Sequence, residues 1–429
     1  MPHLSKSAEM PSKSSERPAL SMNRRSLLIA LGSWAIAQGV SGCGPRGPAV
    51  LDIEFLDSSL PTSLLKEFQR SISGQKIDFA PVETLAALYE HLVSNQEGRP
   101  NESWLSPLWK GLGLNGPDDA PSPRLADWLT LGDYWLAASI QNKLIEPLDE
   151  KSLPGWDKLP EKWQSLVRRN AQGELSDQGK IWAAPYRWGS LAIAYQIEAF
   201  EALGWVPTDW DDLWREDLTR QISLLDSPRA VIGLTLKRLG QTFNEENPDA
   251  VADLSQALGA LQAQVKTYSS DAYLQPLLLE DTWVAVGWSS DILALLRRDP
   301  RYGAVIPASG TALFADVWVR PAMPKGSESG SGSEPSDQPA YDAAALVSQW
   351  IEFCWQPETA KRLTIQSYGA SPMLVESDRA NLPDSLRLDP VLLPDQEVLE
   401  KSEFLTPLSE TAIAQYQKLW QDMRLGNLG

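Results

Sequence analysis

A chain of 429 residues, 43% of them apolar, has length for two or three domains and can bury a full core without disulfides. Its 56 Asp/Glu against 38 Lys/Arg give a formal net charge of −18, which repels phosphate backbones and argues against a nucleic-acid binder. With two His and two Cys, the chain holds no His/Cys metal cluster, and no metal or cofactor is expected.

The first fifty residues carry an export pattern. Residues 1–21 are rich in Ser, Lys and Pro, precede a second Met, and read either as a disordered extension or as the product of start-site choice. Met22-Asn23-Arg24-Arg25 is a short basic region, Ser26–Val40 an apolar run too short for a comfortable membrane span, and Ser41-Gly42-Cys43 closes it with small residues. Asn23–Leu28 resembles a twin-arginine export signal, and Val40–Cys43 resembles a bacterial lipobox. The expectation is a signal over 1–42 with Cys43 as the acylated mature N-terminus, tethering the protein in the cell envelope. An uncleaved anchor, or an ordinary signal with an incidental Cys, is the alternative. Residues 1–42 hold five Lys/Arg and two Asp/Glu, so the chain from Cys43 onward stands at −21. Cys354 is then the remaining thiol, read as a buried structural one.

Val50–Leu56 alternates apolar and polar residues and predicts a strand; Pro61–Ser71 predicts a helix, Lys76–Phe79 a strand, Leu85–Val93 a helix. This order argues an α/β lobe with a largely parallel sheet. Residues 99–124, rich in Gly, Pro and Asp, read as a surface insertion. Asp127–Leu131 predicts a strand, followed by a helix from about Asp133-Tyr134. In Gly179–Gln196, two apolar runs flank Tyr186-Arg187-Trp188-Gly189, which reads as an aromatic-Gly turn between two strands. Aromatics at such a junction commonly line a ligand cleft; an ordinary hairpin or core strand with buried rings is the alternative.

Further on, Trp210–Trp214 predicts a short aromatic-acidic helix, Ile222–Leu225 a strand, and Ser227–Leu239 a helix with Ser at the N-cap and Pro at N1. Asp249–Gln264 predicts a helix, Trp283–Trp288 a strand, and Ser289–Arg298 a helix. Gly303–Pro307 and Phe314–Val319 predict strands. Residues 323–339 are Gly/Ser/Pro-rich and read as a flexible loop; helices are expected over Ala343–Trp355 and most of Leu405–Leu425. The chain lacks GxSxG and HExxH. His91 lies in a predicted helix and reads as a surface residue, and the neighbours Asp211 and Asp212 should point different ways on theirs.

Six stretches carry a family resemblance: Pro61–Phe68, Ala184–Gly189, Trp210–Trp214, Ser227–Arg229 with Leu236–Gly240, Gly287–Ser289 and Phe314–Val319. Together they resemble the spermidine/putrescine-binding proteins of bacterial ABC importers, from about Val50 to the C-terminus. The resemblance implies an α/β, two-lobe periplasmic binding protein fold (type II-like), with the ligand cleft between the lobes. It implies lobe 1 over 43–190, lobe 2 over 191–312, a return to lobe 1 over 313–365, and a return to lobe 2 over 366–429. It implies a small solute, polyamine-like or a related amine or amino compound, a permease as partner, a periplasmic location, and a monomer. The ligand-binding candidates are Tyr134, Arg187, Trp188, Trp288, Phe314 and Asp316. Trp288 and Tyr134 match clamping aromatics, Asp316 matches an amine-binding Asp, and Phe314 stands where the family has Trp. Leu56 and Ser59 replace an expected aromatic pair, and Ser227 and Ala230 replace two expected acids. An exported hydrolase, or a binding-fold lipoprotein acting as a sensor, are the alternatives.

Overall fold

The computed structural model describes residues 51–72, 75–96, 126–323 and 343–428. The signal, Cys43, the 99–124 insertion and all but the first residue of the 323–339 stretch lie outside the described residues.

Nine strands carry the architecture: β1 (Leu51–Leu56), β2 (Ile77–Val82), β3 (Trp128–Gly132), β4 (Ala184–Gln196), β5 (Ile222–Leu225), β6 (Val265–Ser269), β7 (Val284–Trp288), β8 (Tyr302–Val305) and β9 (Ala312–Pro321). Their hydrogen-bonded order is β2-β1-β3-β9-β4-β7-β5-β6, with β8 also on β4. β2, β1 and β3 run parallel, as do β7, β5 and β6. The long strands β4 and β9 lie between these two parallel sets and are antiparallel to each other and to their neighbours.

The expected turn at 186–189 is not a turn: β4 is continuous for thirteen residues. Gly189 serves close approach instead, because a Cβ there would lie 2.5 Å from Phe314 Cε1 and 2.7 Å from Ser289 Oγ. Residues 184–190 pair with β9 and residues 191–196 with β7 and β8, so one strand passes between two packing environments.

Those environments are two hydrophobic clusters. The first gathers β1–β3, residues of β9, Ala184, Tyr186, Trp188, Ala192 and Ala194 of β4, α1 (Thr62–Ser71), α2 (Leu85–Gln96), α3 (Ala343–Trp355) and α4 (Pro357–Ser367), and it extends to Ala285, Ile292, Leu293, Leu295 and Tyr302. The second gathers Leu191 and Ile193 of β4 with β5, β7, α5 (Pro228–Arg238), α6 (Leu254–Gln264) and α7 (Glu410–Leu425). Leu374, Leu382, Leu386, Leu399 and Phe404 pack in the first cluster, whereas Tyr416, Leu419 and Met423 pack in the second.

Local sequence explains the elements that frame the cleft. Ser227 caps α5, its Oγ accepting the Ala230 N–H at 3.3 Å, with Pro228 at N1. Ser409 caps α7 in the same way through Ala412, and Gly426 closes it at a left-handed φ of 72°. Cys354 is buried on α3, as expected. Strand β6 has no counterpart in the sequence reading: Val-Lys-Thr-Tyr-Ser follows α6 directly, so the helical pattern masks its alternation. Trp210–Trp214 is a 3-10 turn capped by Asp209. Asp211 pairs with Arg238 while Asp212 accepts from the Thr208 and Asp209 N–H groups, so the two carboxylates do point apart. No helix among the described residues is long and apolar enough to cross a membrane.

Candidate ligand-binding cleft

In open α/β sheets, ligands bind in the crevice outside the C-terminal ends of the parallel strands, at the point where the strand order reverses. This chain brings six such ends together. Ser58 follows β1, Glu83–Ala86 follow β2, Asp133–Trp135 follow β3, Ser227–Arg229 follow β5, Ser270-Asp271 follow β6, and Ser290-Asp291 follow β7. All line one cavity of about 990 Å³, floored by Arg187 of β4 and Leu313–Asp316 of β9, with Thr406 and Tyr416 on its far side.

Five of the six residues singled out by sequence line it: Tyr134, Arg187, Trp288, Phe314 and Asp316. Trp188 does not. Alternation along a strand sends neighbours to opposite faces, so with Arg187 on the cleft, Trp188 faces the core. It is 1% exposed and its ring lies 5.3 Å from that of Trp163.

Aromatic surface is supplied from three elements. Trp288, ending β7, meets Phe314 of β9 edge to face at 5.4 Å and 74°. Tyr134 is 53% exposed, its ring leaning on Trp135, which stacks in turn on Tyr89. Gly287 permits the approach of Tyr273, whose ring would lie 1.9 Å from any Cβ there. The Tyr273 hydroxyl donates to Asp291 and accepts the Trp288 N–H.

Charge on the floor is arranged differently from expectation. Register sets Asp316 of β9 directly opposite Arg187 of β4, and a bulge follows at Val317. Arg187 Nη1 donates to Asp316 Oδ2 at 2.5 Å, Nη2 to the Ser367 carbonyl at 2.9 Å, and Nε to Ser367 Oγ at 3.3 Å. Gly369 leaves room for this, since a Cβ there would lie 2.3 Å from Nε. Arg187 is 3% exposed and Asp316 is fully buried, so the pair is one of the costly desolvated kind. Burial pushes the Asp316 carboxyl up from its usual range, and Arg187 opposes that shift. Asp316 Oδ1 has no partner among the described residues.

Beside it, Asp133 accepts the Ala315 N–H at 2.9 Å. Burial pushes its carboxyl up to about 7, with the Asp316 charge adding to the rise and the Ala315 bond and the Arg169 charge opposing it. Arg169, also buried, donates to the Leu166 and Gly173 carbonyls. His91 stands apart, 3.0 Å from Glu54 and half-exposed.

The profile described as bacterial extracellular solute-binding protein matches residues 125–402. The chain belongs to that family. Among its curated relatives, the spermidine/putrescine-binding periplasmic protein 1 of Haemophilus influenzae is 22% identical over 365 residues, covering 85% of this chain and 86% of the relative. Among solved structures, the spermidine/putrescine ABC transporter substrate-binding protein from Streptococcus pneumoniae superposes with a TM-score of 0.67 at 20% identity, covering 88% of this chain and 98% of that one. Thiaminase I from Bacillus thiaminolyticus shares the fold as well, with a TM-score of 0.54 at 11% identity and coverage of 88% and 99%. This solute-binding family member therefore has the two-lobe α/β fold of periplasmic binding proteins.

Sequence reasoning missed Asp133, Arg229, Tyr273 and Asp291. Asp133, Arg229 and Asp291 lie one to four residues past a strand end, and that position is the signal that would have found them.

Proposed function

We propose that this protein is the extracytoplasmic solute-binding component of an ABC importer, holding a small amine or amino compound in the cleft and presenting it to a permease as a monomer. The observation that carries the reading is the convergence of six strand ends on one cavity faced by Tyr134, Trp288 and Phe314, with a buried carboxylate oxygen of Asp316 in its floor that has no partner among the described residues. Aromatic faces suit methylene chains and ammonium groups, and a free carboxylate oxygen suits an N–H donor. The relatives, periplasmic proteins that bind spermidine and putrescine, point the same way.

Lobe 1 would comprise residues up to about 190, with a return from about 313. Lobe 2 would comprise residues 191–312 with a return over 366–429, whose last helix packs Tyr416, Leu419 and Met423 in the second cluster. Membrane tethering would rest on Cys43, supported by the basic, apolar and small-residue order before it.

The test is thermal-shift screening of the purified protein against polyamines, amino acids, sugars and anions. A ligand that binds the native state raises the melting temperature by mass action. An amine or amino compound should do so, and Trp288→Ala should remove the effect. Stabilisation by sugars or anions alone would refute the reading.

A further inference from the structure

We infer that the solute is a zwitterion of the amino-acid type, its carboxylate held by Arg229, and not a polyamine; this rests on the solute-binding reading of the cleft. A polyamine needs unbalanced carboxylates at separate ends of its site. The floor offers none. Asp316 has its charge matched by Arg187, and all three nitrogens of that guanidinium are engaged by Asp316 and Ser367. Asp133 holds the Ala315 N–H and feels the charge of Arg169, so the floor closes on itself electrostatically.

On the wall past β5 the sign is reversed. The resemblance to polyamine binders expects acids at 227 and 230, where Ser227 and Ala230 stand, and between them the cleft is lined by Arg229. Its Nη2 donates to Asn244 Oδ1 at 2.7 Å and to the Thr406 carbonyl at 3.2 Å, and its guanidinium lies 5.4 Å from the centre of the Tyr416 ring. These contacts fix the plane of the fork. They leave Nε and Nη1 without a hydrogen-bond acceptor, and the guanidinium without a carboxylate within ion-pair distance, among the described residues. Glu246, the acid whose charge reaches it, spends its oxygens on the Ser409 N–H and hydroxyl. A planar, pre-oriented and half-buried cation with open donors is the arrangement that recognises a carboxylate.

The ammonium end has its own acceptors. Asp271 and Asp291 line the same wall and are exposed, and Tyr273 orients Asp291 through its hydroxyl. Trp288 and Phe314 supply apolar surface for the carbon chain. One open cation, with open carboxylates at Asp271 and Asp291 on its own side and at Glu83 past β2, complements a molecule with both charges; two ammonium ends would leave the Arg229 cation without a counter-charge.

The experiment is calorimetry on the purified protein with charge-matched probes: 4-aminobutyrate, 5-aminovalerate and the twenty amino acids on one side, putrescine, cadaverine and spermidine on the other. A carboxylate-bearing probe should bind at least about tenfold more tightly than each polyamine. Arg229→Gln should weaken that probe by about tenfold or more, and Arg229→Lys, which keeps the charge and loses the fork, by less. The melting temperatures of the unliganded variants report separately on any loss of the Asn244 and Thr406 contacts. Tighter binding of a polyamine, abolished by Trp288→Ala and unchanged or improved by Arg229→Gln, would overturn the inference and leave the cleft reading standing. Failure of both probe sets to bind would overturn both.

Discussion

Replacing Arg187 with Met retains much of its stem volume and removes the guanidinium. Asp316, fully buried, is then left as an uncompensated charge, and Ser367 loses both donors. Breaking a buried pair from one side costs about 3–5 kcal/mol. For the compact unit Ala49–Gly429, an unfolding entropy of about 2.1 cal/mol/K per residue gives roughly 0.8 kcal/mol per kelvin. Arg187→Met should therefore melt about 4–6 °C below wild type at pH 8. The deficit also has a pH signature. Without Arg187 the folded-state pKa of Asp316 rises further above its unfolded value, so the folded protein holds that proton more tightly than the unfolded chain. The deficit should shrink as the pH is lowered towards 5. Arg187→Met/Asp316→Asn, which removes the stranded charge, should recover part of the loss. The assay is thermal unfolding of unliganded protein followed by far-UV circular dichroism at pH 5 and 8. A single variant melting with wild type at pH 8, or a double variant no more stable than Arg187→Met, would refute the claim that the floor is a self-neutralised pair.

Asp133→Asn keeps an acceptor for the Ala315 N–H and removes the titrating group. The folded Asp133 carboxyl sits at about 7 against 3.8 ordinarily, so the folded state binds its proton more tightly, and wild type loses stability as pH rises from about 4 to about 7. The loss is on the order of 4 kcal/mol at most, and urea unfolding at pH 5 and 8 should show a smaller difference in the variant; an equal difference would contradict the burial argument. Gly189→Ala puts a Cβ against Phe314 and Ser289 Oγ and should cost about 1–3 kcal/mol by overpacking, measured by the same unfolding, while weakening ligand binding. Trp288→Ala should weaken a bound solute by roughly 1–3 kcal/mol in calorimetry. Cys43→Ser should release the exported protein from the membrane fraction; retention of the variant there would refute lipid tethering.

Much of the scaffold was legible because periodicity and capping agree with the fold. Ile222–Leu225, the Ser227-Pro228 helix start, Val284–Trp288 and Ala343–Trp355 all follow from local chemistry that tertiary packing reinforces. The centre of β4 was not legible. A Gly flanked by aromatics looks the same in sequence whether it turns the chain or admits a neighbouring ring, and only the position of Phe314 distinguishes the two. A turn at 186–189 would suspend the two-residue alternation that, in the strand, sends Trp188 and Arg187 to opposite sides. The Arg187–Asp316 pair spans 129 residues and depends on strand register, which no local pattern specifies. Arg229 is masked for another reason: the resemblance to polyamine binders marks the acids absent at Ser227 and Ala230 and says nothing of the cation between them.

The most direct test is a crystal structure of the protein grown with the solute that most raises its melting temperature. The solute should lie between the two lobes, with Trp288 and Phe314 against its carbon chain and Tyr134 across from them. A solute bound outside this cleft, with Trp288, Phe314 and Tyr134 untouched, would contradict the account.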